Sequence, residues 1–168
     1  MPGDAEDISR VHVETWRSAY AGILPDELLT NLSVDRRLAY WTQELNRPQQ
    51  PGSGTWVVEV AGDVVGFVSS GPCRDEDRAG DAHWEVYAIY VLAEHSNRGH
   101  GRILANAALD AAPDSAEDVS LWVLAENVSA IGFYGSLGFA ADGTERDESL
   151  GGQSITELRY AMALPRDT

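Results

Sequence analysis

Apolar residues in the N-terminal third recur every three or four positions, the period of a helix with one buried face. In PGDAEDISRVHVETWRSAY, Ile8, Val11, Thr15 and Ala19 form one stripe, with His12 and Trp16 at its edge. Arg10, Glu14 and Arg17 face away from it. Asp4 is positioned to cap this helix and Gly22 to end it. Pro25 opens a short second helix, PDELLTNL. Ser33 caps a third, where Val34, Leu38, Trp41 and Leu45 repeat at i, i+4, i+7 and i+11.

The period changes after RPQQPGSG, a linker by composition from Arg47 to Gly54. TWVVEV and VVGFVSS flank Ala61-Gly62-Asp63 and predict a hairpin. PCRDEDRAGD reads as a polar loop. Ala82–Val91, AHWEVYAIYV, is rich in aromatic and β-branched residues and predicts a long strand. A helix follows from about Arg102 to Ala112, stopped by Pro113. VSLWVL predicts a strand, ENVSAIGFYGSLGF a helix ending near Gly138, and the tail two strands around Gly151-Gly152. Helices, a three-stranded meander, then helix, strand, helix and two strands predict an α/β (α+β) protein. Its sheet is mixed and mostly antiparallel, with helices on both faces. A single domain over residues 1–168 is expected.

Composition narrows the function classes. The formal net charge is −15, which excludes a general nucleic-acid binder and favours cationic partners such as amines. All 12 basic residues are Arg. Without Lys there is neither a Walker-A loop nor a Schiff-base enzyme. The single Cys, Cys73, excludes an internal disulfide, and no metal-ligand spacing is present. No apolar run approaches the ~18 residues of a membrane span. The chain reads as cytoplasmic, with no membrane or nucleic-acid partner and no metal.

Against this acidity, EHSNRGHGR (Glu94–Arg102) is a cationic island between a strand and a helix. Amides at a helix N-terminus are unpaired and lie at the positive end of its dipole. Gly99 and Gly101 let backbone approach an anion, and Arg98 and Arg102 add charge-assisted contacts. The pattern suits a phosphate site. It is not the dinucleotide fingerprint, since Leu104 stands where the third Gly belongs.

In sequence, EVYAIYVLAEHSNRGHGRILANAAL resembles the acetyl-CoA-binding core of the GCN5-related N-acetyltransferases (the GNAT family). That core is a strand, a loop of form Q/R-x-x-G-x-G/A, and a helix. Here the loop is Ser96-Asn97-Arg98-Gly99-His100-Gly101; Ser96 departs from the family's Gln or Arg, while the backbone role of the loop is independent of that side chain. LWVLAENVSAIGFYGSLGF resembles the next family segment through Asn127, Ala130, Phe133, Tyr134, Gly138 and Phe139. The two blocks cover about 60 residues in the family's order.

The resemblance implies strands that splay apart at an acetyl-CoA site, and acetyl transfer to a primary amine by direct attack. Such transfer needs a deprotonated amine, a donor for the developing oxyanion and a proton for the leaving thiolate. By resemblance, the backbone of Ile89 and Val91 beside Tyr90 serves the oxyanion and the pantetheine arm. Ser96, Asn97, Arg98, Gly99, His100, Gly101 and Arg102 hold the pyrophosphate. Asn127 bonds the pantetheine arm while capping its helix, beside Ala130 and Phe133. Tyr134 matches the family's general acid, although its stripe of Ala130, Phe133 and Leu137 equally suits a core helix face.

Glu85 stands four residues before Ile89, on the same face by period two, where some members carry a general base. A solvated Glu with no chemical duty is the bland alternative. Trp16, Arg17 and Tyr20 are acceptor-side candidates. The expected acceptor is a small-molecule amine, and a homodimer is a further expectation. Alternatives are a protein or peptide N-terminal acetyltransferase, and a non-catalytic acyl-CoA-binding module. Family chains usually begin with a strand. Only Met1-Pro2-Gly3 precede the first helix here, so that strand is expected to be missing and its neighbouring edge open to solvent or a partner.

Overall fold

In the computed structural model, which describes residues 4–165, the chain runs α1 (Asp4–Ala19), α2 (Asp26–Thr30), α3 (Val34–Leu45), β1 (Gly54–Val60), β2 (Asp63–Pro72), β3 (His83–Val91), α4 (His100–Ala111), β4 (Asp118–Leu124), α5 (Val128–Leu137), β5 (Ala140–Leu150) and β6 (Gln153–Ala163). Short 3-10 turns lie at Glu76–Arg78 and Ala93–His95. The expectation of a missing first strand concerns Met1–Gly3, which lie outside the described residues. No helix among the described residues is long and apolar enough to cross a membrane.

The strands form one sheet in the order β1-β2-β3-β4-β6-β5, antiparallel except where β3 meets β4. On one face Leu104 and Ala108 of α4 pack with Val68, Trp84, Val86, Val119 and Leu121. On the other, Ala5, Ile8 and Val11 of α1 and Trp41 of α3 pack with Val64 and Phe67. Ser33 caps α3 as expected, its side chain accepting from the Arg36 amide. Arg17, an acceptor-side candidate from sequence, lines neither cavity described below and donates to the carbonyls of Leu29 (3.1 Å) and Leu32 (2.8 Å), which fastens α2 to α1.

Two features position the site. The first is a parting of strands. β3 and β4 are paired only at His83–Glu85 with Asp118–Ser120. Beyond that point the edge of β3 from Val86 to Val91 has no strand partner on the β4 side among the described residues, while β2 continues along its other side to Val91. The second is a bulge. Ser69 is opposite Ala88 but Ser70 is opposite Val86, so Tyr87 is an extra residue. It reverses the alternation of β3. Trp84, Val86, Ile89 and Val91 all serve the α4 face, whereas Ala88 and Tyr90 serve the α1 face. The expectation that Glu85 shares a face with Ile89 is therefore corrected: period two breaks at Tyr87.

His12, expected at a stripe edge, is buried at 7% exposure, and its Nδ1 accepts from Trp41 Nε1 at 3.2 Å. Burial, aided by the Arg37 charge, lowers its imidazole from 6.5 to about 3. The fold holds it neutral, while the unfolded chain takes up a proton near its ordinary value. Its contribution to stability is thus complete above about pH 6.5 and is lost as pH falls toward about 3. At about 1.4 kcal/mol per unit, roughly 2 kcal/mol goes between pH 6.5 and pH 5. Denaturant unfolding at the two ends of that window checks this. His12→Gln, which keeps an acceptor for Trp41, is expected to remove most of the pH dependence; an equal slope in both proteins contradicts it.

Candidate active site

The wedge between the parted strands opens into a cleft of about 610 Å³. Its walls are Val86–Val91 of β3, Leu121–Val123 of β4, the start of α4, the first half of α5 and the end of α1. Of the site residues expected from sequence, Ile89, Tyr90, Val91, Ser96, Asn97, Gly99, Gly101, Arg102, Asn127, Ala130, Phe133 and Tyr134 line it. Arg98 and His100 do not line it.

The loop before α4 has the expected backbone. Asn97 (φ 59°) and Gly99 (φ 88°) are both left-handed, and Gly99 takes the N-cap position of α4 without a side-chain cap. The first amide bonded back into the helix is that of Ile103, to Gly99 O at 3.1 Å. Those of His100, Gly101 and Arg102 precede it and have no intrahelical acceptor. A Cβ on Gly99 would meet nothing within 4 Å, so its left-handed φ is what calls for glycine, whereas a Cβ on Gly101 would lie 3.0 Å from the Phe133 ring. Gly99 lets the loop turn, and Gly101 lets α4 seat against α5. Arg102 leans on α5, donating to the carbonyl and hydroxyl of Ser136 at 3.4 and 3.3 Å.

Asn127 caps α5 with its side-chain oxygen, which accepts from the Ala130 amide at 3.2 Å. Among the described residues its Nδ2 has no partner and is left to the cleft. Tyr134, two turns along α5 from that cap, has a hydroxyl with no hydrogen bond among the described residues. Burial, reinforced by Tyr90, pushes its phenol well above the ordinary value. Tyr20 and Tyr90 are raised in the same way, chiefly by burial. At neutral pH the junction of the cleft is therefore walled by protonated phenols, which can give a hydrogen bond or proton and do not remove one.

Glu85 lies outside this cleft, in a neighbouring cavity of about 190 Å³ that shares Tyr20, Tyr87, Tyr90 and Trp122 with it. Its side chain is 2% exposed and both oxygens are engaged by Arg74: Nη2 reaches Oε1 at 2.7 Å, and Nε and the backbone amide reach Oε2 at 3.1 and 3.0 Å. The Arg74 guanidinium also lies 4.1 Å over the Tyr87 ring. Burial, then the Glu85 charge, pushes the Tyr87 phenol up to about 12.

Two further residues of this cavity escaped the sequence reading. Arg146 and Glu157 are cross-strand partners joined at 2.7 Å, with the Arg146 guanidinium 4.1 Å over Trp122. The signal was present: both are equidistant from the Gly151-Gly152 turn, so opposite charges face each other across the hairpin. The expected acceptor-side residues Trp16 and Tyr20 do line the cavity.

One wall of the cavity is fixed from behind. Arg159, 4% exposed, donates to Asp75 (3.0 Å), Asp77 (2.8 Å), Asp142 (2.7 Å) and Thr144 (2.9 Å). Asp75 also accepts from Trp122 Nε1 at 3.1 Å. The loop that carries Arg74 is thereby bolted to the sheet.

Known proteins agree with this architecture. The family model described as acetyltransferase (GNAT) family matches residues 13–139. An uncharacterized N-acetyltransferase of Bacillus subtilis is 35% identical over 133 residues, covering 78% of this chain and 72% of that one. A probable N-acetyltransferase of Mycobacterium tuberculosis is 29% identical over 165 residues, covering 96% and 89%. Among solved structures, the Salmonella typhimurium yncA protein with its cofactor acetyl-CoA superposes with a TM-score of 0.70, at 22% identity over 99% of this chain and 92% of that one. The PaiA N-acetyltransferase of Thermoplasma acidophilum in complex with coenzyme A gives 0.66, at 19% identity over 93% and 92%. The parted strands, the glycine loop and the full-length match of both blocks lead to one conclusion: the chain is an acyltransferase belonging to the acetyltransferase (GNAT) family.

Proposed function

We propose that the protein transfers acetyl from acetyl-CoA to the primary amine of a small molecule by direct attack. The observation that carries this reading is the unpaired edge of β3, flanked by the left-handed loop at Gly99 on one side and the free Tyr134 hydroxyl on the other. The residues present fit the cosubstrate. Amides of His100, Gly101 and Arg102 are free for its pyrophosphate. The β3 edge at Ile89 to Val91 can pair with the pantetheine arm as another strand would. Asn127 Nδ2 can donate to the same arm. When bound, acetyl-CoA supplies an activated thioester carbonyl.

The chain's part is then positional and protic. A β3 amide in the Ile89–Val91 segment donates to the carbonyl oxygen as charge develops. The amine, its ammonium proton first lost to water at the tyrosine-lined junction, bonds the acetyl carbon; the carbon–sulfur bond breaks as Tyr134 gives its proton to the sulfur, and the second proton of the attacking nitrogen passes through water to restore the phenol. Glu85, with both oxygens held by Arg74, enters this reading as the anchor of Arg74 rather than as a free base.

Following thiol release from acetyl-CoA with a panel of amines tests the proposal. Tight CoA binding with no release from any amine sinks it. The loop has its own test. Gly99→Ala forces a side chain into the left-handed region at about 1–2 kcal/mol, and CoA affinity by calorimetry is expected to fall about five- to thirtyfold. Wild-type affinity in that variant refutes the role of the loop.

A further inference from the structure

We infer that the acceptor is a zwitterion of the α-amino-acid type, held in the 190 Å³ cavity with its carboxylate between Arg74 and Arg146. This rests on the acetyl-transfer reading above and names its second substrate.

Charge is the first argument. The chain's acidity suggests a cationic acceptor, but this cavity is balanced. Glu85 is neutralised by Arg74 and Glu157 by Arg146. With two guanidinium groups against two carboxylates the cavity carries no net charge, which suits a zwitterion rather than a polycation.

Free donors are the second. Among the described residues, Arg146 bonds only through Nε, at 2.7 Å to Glu157 Oε2 and 3.9 Å to Glu148. Its two Nη groups are unengaged, and stacking on Trp122 fixes their plane. Arg74 uses Nε and Nη2 on Glu85 and keeps Nη1. Two planar guanidinium groups with unspent N–H donors, lining one small cavity, make a carboxylate receptor. Glu157 keeps Oε1 without a partner, an acceptor for an ammonium.

Position and size agree. The cavity meets the main cleft at Tyr20, Tyr87, Tyr90 and Trp122. An amine at that junction faces the β3 edge and Tyr134 while its carboxylate reaches the arginines. At about 30 Å³ per water, the cavity holds roughly six waters, the scale of one amino acid. Leu24, Leu124 and Leu150 give an apolar wall for a side chain.

The test compares L-leucine, L-methionine and L-phenylalanine with their amides and their decarboxylated amines, by thiol release referred to the unprotonated amine. Binding of the same compounds to CoA-loaded protein is measured alongside. Amino acids are expected to exceed their amides at least tenfold in kcat/KM and in affinity. In Arg146→Gln, which can still bond Glu157, that preference is expected to shrink to within about threefold, with CoA affinity retained as the sign of an intact fold. Equal use of amino acids and amides, or preference for the decarboxylated amines, overturns the inference while acetyl transfer stands. If no compound is acetylated, the transfer reading fails, and binding alone decides the cavity: amino acid over amide supports it, and no discrimination overturns it.

Discussion

Tyr134→Phe is expected to lower kcat about 10²- to 10³-fold with CoA affinity changed less than twofold. The variant removes one oxygen and leaves the ring, which packs in the core with Phe139 and Leu137. The hydroxyl has no hydrogen bond among the described residues, so its loss strands no donor. A structural role therefore predicts almost no effect, and a proton donor predicts a large one. The pH profile separates them further. Burial raises the phenol well above its ordinary value, so Tyr134 stays protonated through pH 10. With the acid always loaded, turnover in the wild type is expected to climb with pH as the acceptor amine deprotonates, with no descending limb below pH 10. Unchanged kcat in the variant removes Tyr134 from the chemistry. A fall in rate from pH 8 to 10 in the wild type contradicts the phenol as donor.

Arg159→Met is expected to cost about 3 kcal/mol of stability. Burial of the Arg159 side chain argues for the upper end of 3–5, but its carboxylate partners keep some exposure and Asp77 is 61% exposed, so water screens the pairs and weakens their share. The loss leaves Asp75, Asp77 and Asp142 converging with only Arg78, 3.3 Å from Asp142, beside them. For a chain of this length the midpoint of thermal unfolding should drop by about 6–12 °C. The same change frees the loop bearing Arg74, so the acceptor KM should rise more than the KM for acetyl-CoA. A midpoint within 2 °C of wild type, or equal change in both KM values, contradicts this bolt.

Much of this architecture is legible in the chain because its cues are local. The Ser33 cap, the α3 stripe, the Ala61-Gly62-Asp63 turn and the Asn127 cap each lie within a few residues of what they control. The lining of the main cleft is legible for the same reason: loop and helix start are contiguous, and Tyr134 follows Asn127 on one helix. The smaller cavity is not, because its parts come from distant segments. Arg74, Glu85, Trp122, Arg146 and Glu157 converge only after the sheet is assembled. Period two puts Glu85 on the wrong face, since nothing in AHWEVYAIYV announces that Tyr87 is an extra residue. A helical wheel puts His12 at an edge because it cannot see that α3 will lay Trp41 over it.

The Tyr87 bulge has a consequence for how this protein can change. Within one nine-residue strand it separates two sets of side chains. Glu85 lines the smaller cavity alone, whereas Val86, Ile89 and Val91 line the main cleft alone and pack with the α4 face. A substitution at 85 can reshape the smaller cavity with the cleft preserved, and the reverse holds at 86, 89 and 91. Deleting the extra residue would merge the two sets out of phase, so the freedom to alter one cavity independently of the other hangs on a single irregularity.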